Sequence, residues 1–396
     1  MNYNIDDYLP ILSNNNPKAK IKEIPDDFLV EEIDLNGDVL EIGKKYVFDN
    51  KKSGDFFIFV LEKNDIDTFM AIRSIAYKLG ISKDKITVAG MKDKKAITAQ
   101  KASAHKMKKE QFEKLIIPKI KIKPICYDDK VYLGALKGNR FTITIRNIDL
   151  TIKKTKEHLE KRNKELNGVF LNYYGEQRFG SSRPITHLMG KYLLTEDIKN
   201  AVKTYISYTN KNDTNEIKKN RENAFTDLET AKKRFPKSCV YELDMILHLI
   251  DNPGDFLGAL RKIPRPLRKM FVSAYQSYIF NRALFELSNN NLIKNDTNVP
   301  VPGYLFESRI FSDDAEDMIE NILKKEKIKP SMFKVQYMPE ISSEGTKRKA
   351  YAKFKNFKIM DVTKDDLNNG KTKATIRFSL DKGAYATVFL RQFFNI

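Results

Sequence analysis

The sequence has no tryptophan, two cysteines and four histidines. Cys126 and Cys239 stand far apart, so neither a disulfide framework nor a Cys-x-x-Cys metal motif is available, and a reducing cytoplasm is the expected setting. His105, His158, His187 and His248 form no His-x-x-x-His pair, which argues against zinc or another bound metal. No window approaches eighteen uncharged apolar residues. The first residues, Met-Asn-Tyr-Asn-Ile-Asp-Asp, are acidic and polar, so neither a signal peptide nor a membrane span is expected. No Gly-x-Gly-x-x-Gly follows a strand signal and no Gly-x-x-x-x-Gly-Lys-Ser/Thr occurs, which leaves dinucleotide and P-loop readings without support. There is no internal repeat. Acidic side chains are also scarce relative to basic ones: Asp plus Glu number 52 against 71 Lys plus Arg, a formal net charge of +19.

That charge favours a polyanionic partner, although lysines that only serve solubility would give the same sum. With 396 residues, 41% of them hydrophobic, 25 Phe and 18 Tyr, the chain is long enough for two or three domains with ample core. In the absence of tryptophan, any base stacking must use Phe, Tyr, His or Arg.

In chain order, Phe28–Ile33, Tyr46–Phe48 and Phe56–Leu61 carry strand patterns. Residues 67–79 read as a helix. Asp65 or Asp67 can cap it, Phe69, Ile72, Ala76 and Leu79 share a face, and Gly80 ends it. Residues 105–123 hold seven lysines among isoleucines, which fits either an element beside RNA phosphate or a solvated face. Val131–Leu136 and Phe141–Arg146 flank Lys-Gly-Asn-Arg and predict a hairpin. Residues 151–166 predict a charged helix, and 186–290 a mostly helical region with an exposed loop or linker at 209–223. The basic run Arg261–Lys269 is expected to face outward, ahead of a helix whose Phe271, Tyr275, Tyr278 and Phe280 belong to the core. Strands are expected again at 297–311, 349–361 and 375–380, a turn at 364–373, and an apolar helix from Ala384 to Phe394. This mixture predicts an α+β protein.

The stretch Val88–Gln100 stands out. A short apolar strand runs into Gly90, where the permissive backbone of glycine can turn it sharply. Asp93 follows among Lys92, Lys94 and Lys95, whose positive charge favours the ionised carboxylate. Taken alone, Asp93 is either a solvated turn residue or a nucleophile or base facing an anionic ligand. Likewise Asn139 and Phe141, two apart on a strand, project to one side; they are either a turn residue and a core residue, or a pair that meets a base by hydrogen bond and stacking.

Six blocks in order resemble the TruD family of tRNA pseudouridine synthases. They are Lys22–Glu32, the Gly90-x-Lys-Asp-x-x-Ala-x-Thr-x-Gln100 motif, Lys137–Phe141, Asn172–Gly180 (Asn-Tyr-Tyr-Gly-Glu-Gln-Arg-Phe-Gly), Ala274–Asn281 and Lys382–Arg391. Lysines at 94 and 95 stand where arginines are associated with bacterial members, and the lysine-rich segment 101–130 looks like the archaeal or eukaryotic branch.

The resemblance implies a pseudouridine-synthase catalytic domain with a mixed or antiparallel sheet, built from residues 1–173 and 356–396. An inserted, mainly helical TruD-specific domain would occupy 174–355. It implies isomerisation of a uridine in tRNA, in this family uridine 13, in a cytoplasmic monomer that needs no cofactor. By the same resemblance Asp93 is the nucleophile, Lys22 its basic partner, Phe141 the ring that stacks on the target base and Asn139 a neighbouring polar contact. Lys92, Lys94 and Lys95 would guide the RNA backbone, and Arg178 would serve structure or RNA contact. From another class, a non-catalytic RNA-binding protein would carry the same basic surface. A methyltransferase would need a glycine-rich nucleotide loop, which is missing.

Overall fold

The computed structural model describes residues 16–180, 183–210, 213–306 and 313–396. Two compact units emerge. One holds the described residues up to Phe170 together with Ala352–Ile396, and the other holds Leu171–Tyr351.

The first unit begins with β1 (Phe28–Ile33) and β2 (Phe56–Asn64). Helix α1 (Thr68–Leu79) follows, capped by Asp67, whose carboxylate accepts from the Phe69 and Met70 amides. It is closed by Gly80 at φ 66°, a left-handed conformation that glycine adopts freely. Next come β3 (Ile86–Val88), β4 (Ile97–His105), the short α2 (Lys109–Glu113), β5 (Ile120–Asp128), β6 (Gly138–Ile148), α3 (Ile152–Leu166) and β7 (Val169–Leu171). The second unit supplies α4 (Thr186–Leu194), α5 (Ile198–Ser207), α6 (Asn215–Arg221), α7 (Leu228–Arg234), α8 (Val240–Asp251), α9 (Phe256–Arg261) and α10 (Arg265–Asn289). It continues with β8 (Asn298–Val301), α11 (Asp314–Glu326) and β9 (Thr346–Lys349). The chain then returns through β10 (Tyr351–Lys364), β11 (Thr372–Asp381) and α12 (Ala386–Leu390).

Among the described residues the large sheet has the order β5-β2-β4-β1-β6-β11-β10-β7, with β3 alongside β4. β1 and β4 run parallel; the remaining pairs around the centre of the sheet are antiparallel, so the architecture is α+β. Register assigns the faces, because directly paired residues share one. Val30 opposes Phe141, Glu32 opposes Asn139, and Phe378 opposes Phe141. On the other face Glu31 opposes Arg140 and Thr142 opposes Arg377.

The first of these faces carries the packing. Phe57, Phe59, Leu61, Ala102 and Ala104 bury against Ala71 and Ile75 of α1. At the other side Phe378 meets Phe389 of α12 with ring centroids 4.3 Å apart. In the second unit α10 is the spine, burying Phe271, Tyr275 and Phe280. Gly190 lets α4 approach it closely: a Cβ there would lie 2.2 Å from the Phe271 carbonyl oxygen.

Several sequence expectations need correction. Val131–Leu136 is no strand. Val131, Ala135 and Leu136 bury as a turn against Ile58 and Ala89, while Tyr132 and Leu133 are exposed. β6 pairs with β1 and β11 instead. Tyr46–Phe48 is irregular, with its hydroxyl at Tyr46 accepting from the Glu41 amide. Phe69 is largely exposed, because α1 turns Thr68, Ala71 and Ile75 inward. The expected loop at 209–223 contains α6, and its residues 211–212 lie outside the described residues. The strand at 297–311 is only Asn298–Val301, with 307–311 outside the described residues, and the C-terminal helix is only one turn or so. Within the basic run Arg268 turns inward, donating to the Ile263 carbonyl at 2.9 Å and to Glu340 at 2.7 Å.

Candidate active site

The segment from Ala89 to Asp93 is held through backbone groups of Ala89, Gly90, Lys92 and Asp93. The Ala89 carbonyl accepts from the Gly134 amide at 2.7 Å. The Gly90 carbonyl accepts from Gln100 Nε2 at 2.8 Å. Thr68 Oγ1 both accepts from the Lys92 amide (3.1 Å) and donates to the Lys92 carbonyl (3.2 Å). The Asp93 carbonyl accepts from Lys63 Nζ at 2.5 Å. Gly90 itself does not use the left-handed conformation that the sequence suggested; a Cβ there would meet only Lys92 Nζ, at 3.9 Å.

With its backbone pinned, Asp93 keeps 39% of its side chain exposed and receives Lys22 Nζ on Oδ2 at 2.8 Å. Lys22 comes from the segment before β1. Its backbone is left-handed, φ 58°, a conformation that costs a non-glycine residue about 1–2 kcal/mol and has to be held by its surroundings. Two bonds between Lys20 and Arg146, each 2.8 Å, tie the segment to β6. Arg146 is fixed in turn by Asp27 (2.7 Å), Asp365 (2.8 Å) and Asp366 (2.9 Å). Burial opposes its charge, but these carboxylates more than offset that and raise its pKa above the ordinary arginine value.

The Lys22 ammonium also lies 4.0 Å from the centre of the Phe28 ring. Phe28 meets Phe141 edge-on at 6.1 Å, and Phe141 stacks on Phe378 at 5.4 Å. An aromatic column thus runs across the same sheet face from the Lys22–Asp93 pair. Phe141 is 7% exposed. Asn139, half-buried, follows on that face, and its Oδ1 has no partner among the described residues; Thr98 Oγ1 and Gln100 Oε1, two strands away on β4, are likewise buried without partners among them. The arrangement offers an ionisable carboxylate with a charged neighbour, an aromatic edge and polar acceptors on one wall.

Two predicted residues sit elsewhere. Lys92 does not join the lysines around Asp93: its ammonium turns inward to Glu32 Oε2 at 2.7 Å, with both side chains buried, while Lys94 and Lys95 remain exposed. A lysine sealed in that way is a strut for the loop, so the expected phosphate-guiding role does not fit it. Arg178 belongs to the second unit, where its Nε donates to Ser277 Oγ at 3.0 Å and its guanidinium lies over the Tyr174 ring.

Sequence reasoning missed Lys63. It is 1% exposed, and desolvation lowers its pKa to about 8. The signal was the alternation Phe57, Phe59, Leu61, Lys63 along β2, which places the lysine on the buried face. Glu32, 0% exposed and accepting from the Lys101 amide as well as from Lys92, was missed for the same reason.

With the geometry in place, comparison with known proteins is decisive. The family model described as tRNA pseudouridine synthase D (TruD) matches residues 7–304 and 290–393. The chain belongs to the TruD family. A probable tRNA pseudouridine synthase D 1 from Methanocaldococcus jannaschii is 36% identical over 392 residues, covering 94% of each chain. One from Methanococcus vannielii is 35% identical over 406 residues, covering 99% of each. The crystal structure of the putative tRNA pseudouridine synthase D from Methanosarcina mazei superposes with a TM-score of 0.76 at 30% identity, over 96% of this chain and 94% of that one. The TruD blocks at Lys22–Glu32 and Gly90–Gln100 are the two that meet at the Lys22–Asp93 contact.

Proposed function

We propose that this TruD-family enzyme converts uridine 13 of tRNA to pseudouridine, with Asp93 as the nucleophile. The observation that carries the reading is the 2.8 Å bond between Lys22 and Asp93, which joins positions 71 residues apart around a carboxylate left partly open to solvent. The N1–C1′ bond of the uridine breaks and a C5–C1′ bond forms. The C5 proton is lost and N1 gains one, so the atoms balance without any co-reactant. A carboxylate suits the electron-poor C1′, which it attacks or stabilises as glycosidases do. Lys22 aims Asp93 through their 2.8 Å contact.

The target base has to leave its stack, at a cost of about a few kcal/mol. Stacking on Phe141 and a hydrogen bond to Asn139 offset this. Exposed Lys94 and Lys95 meet the phosphates beside the loop. In this reading the first unit is the catalytic domain, Leu171–Tyr351 is the inserted TruD domain, and Arg178 steadies the latter. The protein works in the cytoplasm as a monomer.

The test is Asp93→Asn with an in vitro transcribed tRNA, probed chemically for pseudouridine. Wild type should modify U13, a U13→C transcript should stay unmodified, and Asp93→Asn should bind the tRNA without modifying it. Modification by Asp93→Asn would remove the aspartate from the chemistry. Binding by wild type without any modification would leave an RNA-binding protein instead.

A further inference from the structure

The sheet face turned away from Asp93 carries a second concentration of charge. β6, β11 and β10 present there a groove of about 410 Å³, within the usual range for ligand sites. Its walls include Lys137, Arg140, Lys355, Lys358 and Arg377, and among the described residues its only lining carboxylate is Asp381. Arg140 is neutralised by Glu31 at 2.7 Å and Glu41 at 3.3 Å, and Lys355 lies 4.0 Å from Asp381. Among the described residues, Lys137, Lys358 and Arg377 have no acidic partner within salt-bridge distance.

The placement of the last two is the telling point. Lys358 of β10 and Arg377 of β11 are directly opposed in the antiparallel ladder, on a solvated face. Like charges so paired destabilise a sheet. The ladder is irregular between Lys355 and Lys358, and Asn356 takes a left-handed φ of 55°, so the register that opposes them rests on a bulge. Arg377 is further oriented by its Nε, which donates to Thr142 Oγ1 at 3.0 Å. Gly138 brings β6 close against β11: a Cβ there would lie 2.1 Å from the Leu380 carbonyl oxygen. A local rule broken with no acidic partner among the described residues marks a site that acts on something outside the chain.

We infer that this groove, on the opposite sheet face from Asp93, binds the sugar-phosphate backbone of RNA through Lys358, Arg377 and Lys137. The inference rests on the proposed function only in taking tRNA as that RNA. Ile33, Val39 and Leu380 supply apolar wall to the groove, but a planar guanidinium beside two flexible ammoniums suits a run of phosphates.

The experiment compares wild type with Lys358→Thr, Arg377→Gln and the double variant. Measurements are tRNA affinity by fluorescence anisotropy over a range of salt concentrations, pseudouridine formation at saturating enzyme, and the thermal midpoint without RNA. The double variant should bind roughly ten-fold more weakly near physiological salt, with a log–log salt slope shallower by about two. Modification at saturation should be unchanged, and the RNA-free midpoint of Lys358→Thr should equal or exceed that of wild type. Unchanged affinity and slope would overturn the inference. Inorganic phosphate titrated against Arg377 by NMR distinguishes the source of anion: saturation by phosphate that tRNA fails to displace would make this a small-anion site and overturn the RNA assignment. Asp93→Asn should abolish modification while keeping the groove's contribution to binding, so a failure of the catalytic reading is separable from a failure of this one.

Discussion

Lys22 Nζ lies 2.8 Å from Asp93 Oδ2, with Asp93 39% exposed and Lys22 20% exposed. In water an ion pair so open adds little to stability, about 0–1 kcal/mol. Its value lies in fixing the carboxylate's direction. Lys22→Met should therefore leave the thermal midpoint nearly unchanged and slow pseudouridine formation on the order of a hundred-fold, as loss of an aimed charge does at other active sites. Lys22→Arg should restore part of the rate. The check is single-turnover kinetics on a tRNA transcript. Equal rates for Lys22→Met and wild type would remove the pair from the mechanism.

Lys63 gives a pH signature. Desolvation lowers its pKa to about 8 in the fold, against an ordinary value of 10.5. Below pH 8 the ammonium is charged both folded and unfolded, so the full burial cost is present. As pH rises through 8 the folded protein releases the proton first, and stability rises until the unfolded lysine also titrates near 10.5. Relative to Lys63→Met, wild type should gain stability in urea unfolding between pH 8 and 10. A pH-independent difference would show that Lys63 titrates normally. At neutral pH the same variant, lacking the bond to the Asp93 carbonyl, should modify tRNA more slowly while binding it normally.

The sequence made the elements with strong periodicity legible. β1, β2, α1, α3, α10 and β11 lie close to where alternation and capping residues place them. It misled where apolar residues serve a loop: Val131 and Leu136 alternate like a strand, yet they anchor a turn whose Gly134 amide supports Ala89. Asp93 and Lys22 could be paired before the structure only through the family blocks, since nothing in a single sequence links positions 71 residues apart. Lys92, Lys94 and Lys95 look alike in sequence. Only tertiary packing, with Glu32 buried beneath the loop, separates a buried strut from two surface charges.

That separation is measurable. Lys92→Met would leave Glu32 sealed without its ionic partner, and breaking a buried pair from one side costs about 3–5 kcal/mol. The variant should show a large fall in thermal midpoint, and Glu32→Gln added to it should recover much of the loss, because glutamine still accepts from the Lys101 amide. Lys94→Ala, at an exposed site, should stay within about 0.5 kcal/mol of wild type and instead weaken tRNA binding with a shallower salt dependence. Similar behaviour of Lys92 and Lys94 in both assays would contradict the buried pair.

Phe141 has two claims on it. Its ring stacks on Phe378 at 5.4 Å and meets Phe28 at 6.1 Å, so it is a core residue, and it is also the proposed base-stacking ring. Phe141→Ala would confuse the two, since loss of a buried aromatic costs about 3–5 kcal/mol by itself. Phe141→Leu keeps an apolar side chain of comparable volume, with an expected stability loss of less than about 1.5 kcal/mol. It removes the flat face, whose stacking on a base is worth about 1–3 kcal/mol. Phe141→Leu should then lower kcat/KM by roughly ten- to a hundred-fold with a nearly wild-type thermal midpoint. Phe378→Leu, one strand over in the same column, is the control: it should cost comparable stability and leave kcat/KM nearly intact. If both variants lose activity only in proportion to stability, Phe141 serves the core alone and another group must hold the base.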